Sequence, residues 1–228
     1  MTYRLSGSGP GVQAPDGCSV EVYRQVPYFG ELEDFRTLFQ AGTRVLELGC
    51  ATGRLTRRLL EWDARVTAVD NSPEMLSAVP ERASRVLSDI ESLKLDGRFD
   101  VALLASNFIN HPAPDVRCAF VATARRHLAD HGRFLLERYD PAWLRRVEPG
   151  PLGPLGDIAM SVEAVSRGAD IVHMTLRYQI ADSVWHHSST AAPLDEGEIE
   201  ALLSSYGFGS FAWSGQRRQW LSAVVQQV

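Results

Sequence analysis

The sequence is poor in the features that would place a protein outside the cell, in a membrane or on a polyanion. Its three cysteines, Cys18, Cys50 and Cys118, are far apart, odd in number and in no ligand spacing, which argues against a disulfide framework and against a zinc site. They are expected to be reduced thiols, and no metal is expected. No block of lysines or arginines is long enough to follow a phosphate backbone, and 23 basic against 28 acidic side chains leave a formal charge of −5. Nucleic acid is therefore a poor partner. No apolar run approaches membrane-spanning length, and the opening MTYRLSGSGPGVQAPDG has neither an apolar h-region nor a cleavage-like site. The expectation is a soluble, cytoplasmic protein that meets no membrane.

What is present is an alternation. After a Gly/Pro-rich start, CSVEVYRQVPYFGELEDFRTLF reads as one or two short helices broken at Pro27 and Gly30, an N-terminal helical arm or lid over residues 1–42. From Thr43 the main domain, 43–228, runs RVLEL strand, RLTRRLLEW helix, RVTAVD strand, SPEMLSAV helix, SRVLSD strand and FDVALLAS strand. Apolar runs of this kind are buried on both faces and belong to a parallel sheet. Ser72 can cap its helix with Pro73 at the first helical position. In PDVRCAFVATARRHLADHG, Val116, Phe120, Ala124 and Leu128 recur every fourth residue, with Gly132 as the expected stop, and RFLLERYD supplies a fifth strand.

The pattern changes over about 157–190, which reads as an antiparallel insert of three strands. There Val172, Met174, Leu176, Tyr178 and Ile180 alternate with His173, Thr175, Arg177 and Gln179, the period of a sheet with one buried face. The helical pattern returns with LDEGEIEALLSSYGF, where Asp195 and Glu198 have capping-box spacing and Gly207 sits at the stop. Two strands, around Phe211–Trp213 and Trp220–Val225, close the chain.

Most of the chemistry lies in VLELGCATGRLTRRL, Val45–Leu59. A strand feeding a helix through small residues leaves backbone amides free and lets a ligand approach the main chain closely. A dinucleotide fingerprint needs Gly-x-Gly-x-x-Gly, but counting from Gly49 the third and sixth positions are Ala51 and Arg54, and the match fails. Instead ELGCATG, with an acid at the strand end and glycines at Gly49 and Gly53, resembles motif I of the class I S-adenosylmethionine-dependent methyltransferases. The resemblance continues in that family's order through VTAVDNSPEML, VLSDIESL and FDVALLASNFINH. It implies a doubly wound, Rossmann-like α/β fold with a seven-stranded sheet, S-adenosylmethionine as cofactor and S-adenosylhomocysteine as product. Ala51 stands where the family most often has its middle glycine, and is expected to be tolerated through a negative φ, with a slightly wider loop or a slightly displaced cofactor.

Carried over residue by residue, the resemblance implies that Glu47 positions the methionyl amino group, with close backbone approach at Gly49, Cys50 and Gly53. Asp70 takes the ribose beside Asn71 and Met75. Asp89 and Ile90 hold the adenine, and Asn107 lies near the methionyl end. Tyr23 and Arg24 of the arm are expected to reach the cofactor, and Tyr28 the acceptor.

Ligands in open α/β sheets gather at the carboxyl ends of the strands. The candidates there are Asn107, Asn110 and His111 after the fourth strand, and Glu137, Arg138, Tyr139 and Asp140 after the fifth. His111 is the preferred base, because its unperturbed pKa is nearest neutrality, with Tyr139 as the second catalytic candidate. Asn110, Arg138, Trp185 and His186 are assigned to the acceptor. Adjacent His186 and His187 point to opposite faces of a strand and do not share a metal. The apolar face of the insert is expected to wall a pocket or to make a homodimer.

The reading is methyl transfer to a small molecule, at oxygen, nitrogen or carbon. An excess of arginine over lysine, with much alanine and glycine, is compatible with secondary metabolism. The rivals are a cyclase or isomerase on the same scaffold, and a module that binds the cofactor without turnover.

Overall fold

The computed structural model describes residues 5–226. Its first half runs β1 (Ser6–Ser8), α1 (Val20–Gln25), β2 (Arg44–Leu48), α2 (Arg54–Glu61), β3 (Arg65–Asp70), α3 (Pro73–Ser77), β4 (Ser84–Leu87) and β5 (Phe99–Leu104). Then come α4 (Pro114–His127), β6 (Leu128–Glu137), α5 (Pro141–Arg146), β7 (Gly150–Leu155), β8 (Ile158–Arg167), β9 (Val172–Ile180) and β10 (Ser183–Ala191). The chain closes with α6 (Glu196–Ser205), β11 (Phe208–Ser214) and β12 (Trp220–Val225).

Seven strands form one sheet in the order β11-β12-β6-β5-β2-β3-β4. The five from β6 to β4 are parallel, and β12 and β11 add antiparallel pairs at the far side. Strand alternation divides the core. Leu46, Leu48, Ala102, Leu104, Phe134 and Leu136 pack with Phe120, Val121 and Ala124 of α4 and Ile199 and Leu203 of α6. Val45, Val66, Ala68, Val101, Leu103 and Leu135 pack with Leu55, Leu59 and Leu60 of α2 and Leu76 of α3. Helices therefore cover both faces, which is why the strands read as continuous apolar runs.

Local signals act as the sequence suggests. The Ser72 hydroxyl accepts from the Met75 N–H at the start of α3, and Asp195 and Glu198 form a reciprocal capping box on α6. One boundary moves. α4 stops at His127 rather than Gly132, because Leu128 turns extended (φ −79°, ψ 143°) and joins β6. His127 locks that last turn, its Nδ1 on the Thr123 carbonyl at 2.8 Å and its Nε2 accepting from the Leu95 N–H at 3.1 Å.

A second, wholly antiparallel sheet has the order β1-β10-β9-β8-β7. Five strands stand where the alternation indicates three. β7, GPLGPL, carries two prolines and two glycines and has no alternation to read. β1 is a three-residue strand of the arm, so the arm is not purely helical, and it pairs Ser6 with Ser188 and Ser8 with His186. The apolar face of β9 is filled from within the chain, by Val22 of α1 and Leu144 and Val147 beside Met174, Leu176, Tyr178 and Trp185. No second subunit is needed to cover it. Among the described residues no helix is long and apolar enough to cross a membrane.

Candidate active site

A cavity of about 610 Å³ lies between the carboxyl ends of the parallel strands and the second sheet, within the roughly 300–1,000 Å³ of small-molecule sites. Its wall brings together Tyr23, Gly49, Asp70, Asn71, Met75, Asp89, Ile90, Asn107, Asn110, His111 and Tyr139, all of them sequence candidates.

The loop after β2 differs from its expected form in two ways. Its amides are not free. Gly49 and Cys50 N–H both donate to the Val69 carbonyl at 2.9 Å, Gly53 N–H donates to the Cys50 carbonyl, and Ala51 N–H donates to Asp70 Oδ2 at 2.8 Å. What the loop offers is close approach. At Gly49 (φ +73°) an added Cβ would lie 2.5 Å from the Phe108 ring. Nor does Ala51 have a negative φ: it stands at +48°, where an L-residue is strained by roughly 1–2 kcal/mol. The bond to Asp70 holds it there. Ala51→Gly is expected to leave cofactor affinity unchanged and to raise stability by up to about 1 kcal/mol, less the chain entropy that glycine adds to the unfolded state, as read from thermal melts.

Asp70 closes β3. Its Oδ1 accepts from the Ser72 N–H and its Oδ2 from the Ala51 N–H, and each oxygen retains capacity for a second donor. A vicinal diol supplies two donors at that spacing. Burial raises the Asp70 pKa against these amide bonds. Asn71 Nδ2 donates to Asp89 Oδ1 at 2.9 Å, orienting an exposed carboxylate beside buried Met75 and Ile90. A carboxylate with room for two more donors, an apolar slot and a second carboxylate at its rim fit a nucleoside, so this side of the cavity fits S-adenosylmethionine.

The opposite wall is aromatic and thiol-bearing. Cys18 Sγ–H donates to the Tyr23 hydroxyl at 3.3 Å, and His187 Nε2 lies 3.2 Å from the Asp16 carbonyl. Burial pushes the Cys18 thiol well up, and the Tyr23 phenol rises too, most of all through the neighbouring Cys18. Tyr139 stacks on Trp143 with centroids 5.7 Å apart, and burial pushes its pKa up to about 12. It is a hydroxyl donor rather than a phenolate. His111 Nδ1 accepts from the Ala113 N–H at 3.2 Å, so in the neutral ring Nε2 carries the proton and the basic lone pair is already engaged. Burial lowers its pKa further.

Other candidates do not reach the cavity wall. Glu47 lies on the α2 face of β2, 3% exposed, accepting from the Thr56 hydroxyl at 2.5 Å. Cys50 packs into the core beneath α2, and Gly53 (φ +81°) starts that helix against Val79 and Pro80. Arg24 reaches Ser77 and Glu21 at the surface. The Tyr28 hydroxyl is shared between Glu33 and the Leu32 N–H. Arg138 is a strut, its guanidinium on the Leu194 and Arg218 carbonyls and on Glu196. Trp185 is core, with Nε1–H on the Pro10 carbonyl at 2.7 Å. His186 faces away, 3.4 Å from Glu163. Asn110 lines the wall but its amide is spent, donating to the Ala192 carbonyl and accepting from the Tyr139 N–H.

Burial pushes the Glu47 carboxyl to about 7. A carboxyl raised above its unfolded value binds more protons folded than unfolded, so stability falls as pH rises from about 4.5 to about 7. Glu47→Gln, which keeps an acceptor for Thr56, is expected to lose that decline, worth up to about 3 kcal/mol, in melts at pH 5 and pH 8.

The wall also contains Cys18, Glu31 and Arg54, which the sequence does not single out, together with Leu176 and Tyr178 of the insert face expected to wall a pocket, Glu137 from the candidates after the fifth strand, and, of the two adjacent histidines, His187. For His187 a signal existed. Cross-strand partners share a face, and Trp185 opposite Tyr178 with His187 opposite Leu176 puts His187, not His186, on the apolar side. Arg54 pairs with Glu31 across the rim, a contact between arm and α2 that no local pattern announces. In all, six carboxylates (Asp16, Glu31, Asp70, Asp89, Glu91, Glu137) and one guanidinium line the cavity. Among the described residues no group of three or more side chains could hold a metal ion.

Comparison with known proteins agrees with the fold. Residues 45–132 match a family described as a methyltransferase domain. Over 82% of the chain the sequence is 28% identical to the cypemycin N-terminal methyltransferase of a Streptomyces species, of which 84% is covered. Further curated methyltransferases match along 36% of their length or less. The sugar N-methyltransferase of a Streptoalloteichus species superposes with a TM-score of 0.73 over 100% of this chain and 99% of its own, at 17% identity. An amino pentose methyltransferase from Micromonospora echinaspora, solved with S-adenosylmethionine bound, superposes at 0.65 over 92% and 93%, at 18% identity.

Proposed function

The chain is an S-adenosylmethionine-dependent methyltransferase, and from that premise we propose that it methylates the nitrogen of a small-molecule amine in the biosynthesis of a natural product. The observation that carries this reading is the charge of the cavity: six carboxylates against one guanidinium. A wall of one sign raises the local concentration of the opposite sign. An ammonium is therefore favoured over a phenol, a carboxylate or a neutral ring. The relatives support it in kind, since by name they are an N-terminal methyltransferase of cypemycin, a sugar N-methyltransferase and an amino pentose methyltransferase.

In this reading Gly49, Asp70, Asn71, Met75, Asp89 and Ile90 hold the cofactor, with Asn107 and Tyr23 toward its methionyl end. Bound there, S-adenosylmethionine supplies an electrophilic methyl group for in-line displacement. The chain's part is alignment and the exclusion of water, and the aromatic wall of Tyr23, Tyr139 and Tyr178 suits both. Tyr139, through its hydroxyl, orients the acceptor as a donor, with His111 beside it on the wall.

The test is transfer of a labelled methyl group to a panel of amino sugars, peptides with free N-termini, and catechols. Label on nitrogen is the expected result. Label confined to oxygen or carbon would overturn the amine reading, and binding without any transfer would overturn turnover itself.

A further inference from the structure

An amine is protonated at neutral pH and has no lone pair to attack with until one proton leaves, so an amine methyltransferase gains from a proton acceptor at the acceptor nitrogen. Of the candidates on the wall, His111 has its basic nitrogen on the Ala113 N–H and Tyr139 is a buried phenol. The other carboxylates are committed: Asp16 to the Cys18 N–H, Glu31 to Arg54, Asp70 to two amides and Asp89 to Asn71. Glu91 is exposed.

Glu137 remains. It ends β6, beside the end of β5, and its Oε2 accepts from the Ser106 N–H at 2.7 Å. Its Oε1 has no hydrogen-bond partner among the described residues. The bond to Ser106 depends on unusual backbone. Ser106 and Asn107 are consecutive non-glycine residues with φ of +56° and +59°, and strain of this kind is concentrated at functional sites. Here it reverses the chain after β5 and aims one amide at one carboxylate oxygen.

We propose that Glu137, positioned by the Ser106 amide, receives the acceptor's ammonium and removes its proton. In that step one N–H bond of the acceptor breaks, one O–H bond forms on Glu137 Oε1, and the electron pair stays on nitrogen. The charged and titratable groups that face Glu137 are Arg54 from α2, which favours its ionised form, and Tyr139 from the end of β6, whose phenol stays neutral. Burial outweighs the Ser106 bond and Arg54 and leaves the carboxyl above its ordinary range, a better match to a proton on nitrogen than an exposed glutamate would be.

The inference rests on the amine reading, and its test separates the two. Binding of benzylamine and of benzyl alcohol, which differ only in the charged group, is measured by NMR on protein saturated with S-adenosylhomocysteine, in the native chain and in Glu137→Gln. The glutamine keeps an acceptor for Ser106, and unchanged affinity for S-adenosylhomocysteine reports an intact site. The expected result is a preference for benzylamine in the native protein that falls at least tenfold in the variant, with benzyl alcohol unaffected. A preference that survives in Glu137→Gln would overturn the role of Glu137 and leave the amine reading standing. No preference in the native protein would overturn both.

Discussion

Asp70→Ala is expected to weaken S-adenosylmethionine and S-adenosylhomocysteine together by one to several orders of magnitude. Each hydrogen bond to a charged acceptor contributes roughly 1.5–3 kcal/mol, and the carboxylate faces two hydroxyls in the proposed complex. A second loss adds to the first. Asp70 also accepts the Ala51 and Ser72 amides, so its removal frees the strained loop residue and unties the start of α3. Calorimetry with both ligands reads the effect. Equal affinities in Asp70→Ala and the native protein would remove Asp70 from the site and with it the cofactor side of the cavity.

Trp185→Ala is expected to act on stability rather than on acceptor choice. From the sequence Trp185 belongs to the acceptor pocket, but its ring is 5% exposed in the core of the second sheet, and an aromatic deleted from such a core costs about 3–5 kcal/mol. Its indole N–H also holds the Pro10 carbonyl, and the ring packs so closely under Gly9 that a Cβ there would lie 2.5 Å from it. The denaturant midpoint should fall with an unchanged m-value, and the arm should become sensitive to protease. An altered acceptor preference at native stability would restore Trp185 to the pocket wall.

These two residues illustrate what was legible. Asp70 follows from order along the chain: a strand-ending acid in an alternating pattern sits at the carboxyl edge of a parallel sheet, where ligands collect. The alternation marks the parallel strands, whereas the seven-stranded sheet and the cofactor side of the cavity come from the resemblance of four motifs in order. Trp185 depends instead on which segment lies against it, and that segment is Gly9 and Pro10, just after β1 and most of the chain away. Arg54 and Glu31 have the same character, a cross-element pair with no local trace. Ala51 shows the converse. Its residue type argues for a negative φ, and one hydrogen bond from its own N–H to a distant carboxylate overrides it. Glu47 carries the family motif, yet strand parity places it against α2, where Thr56 takes it up.

The pairing of β1 with β10 also sets a timetable. Ser6 meets Ser188, 188 − 6 = 182 positions later, and contacts so remote are formed late because their loop must close first. On the ribosome the parallel strands can assemble while β10 is still unmade, with the first residues of the chain waiting. The cavity therefore lacks one wall until β10 has been made. Enclosure of the cavity waits on the pairing of β10 with β1, and a product truncated before β10 would leave the cavity open to water.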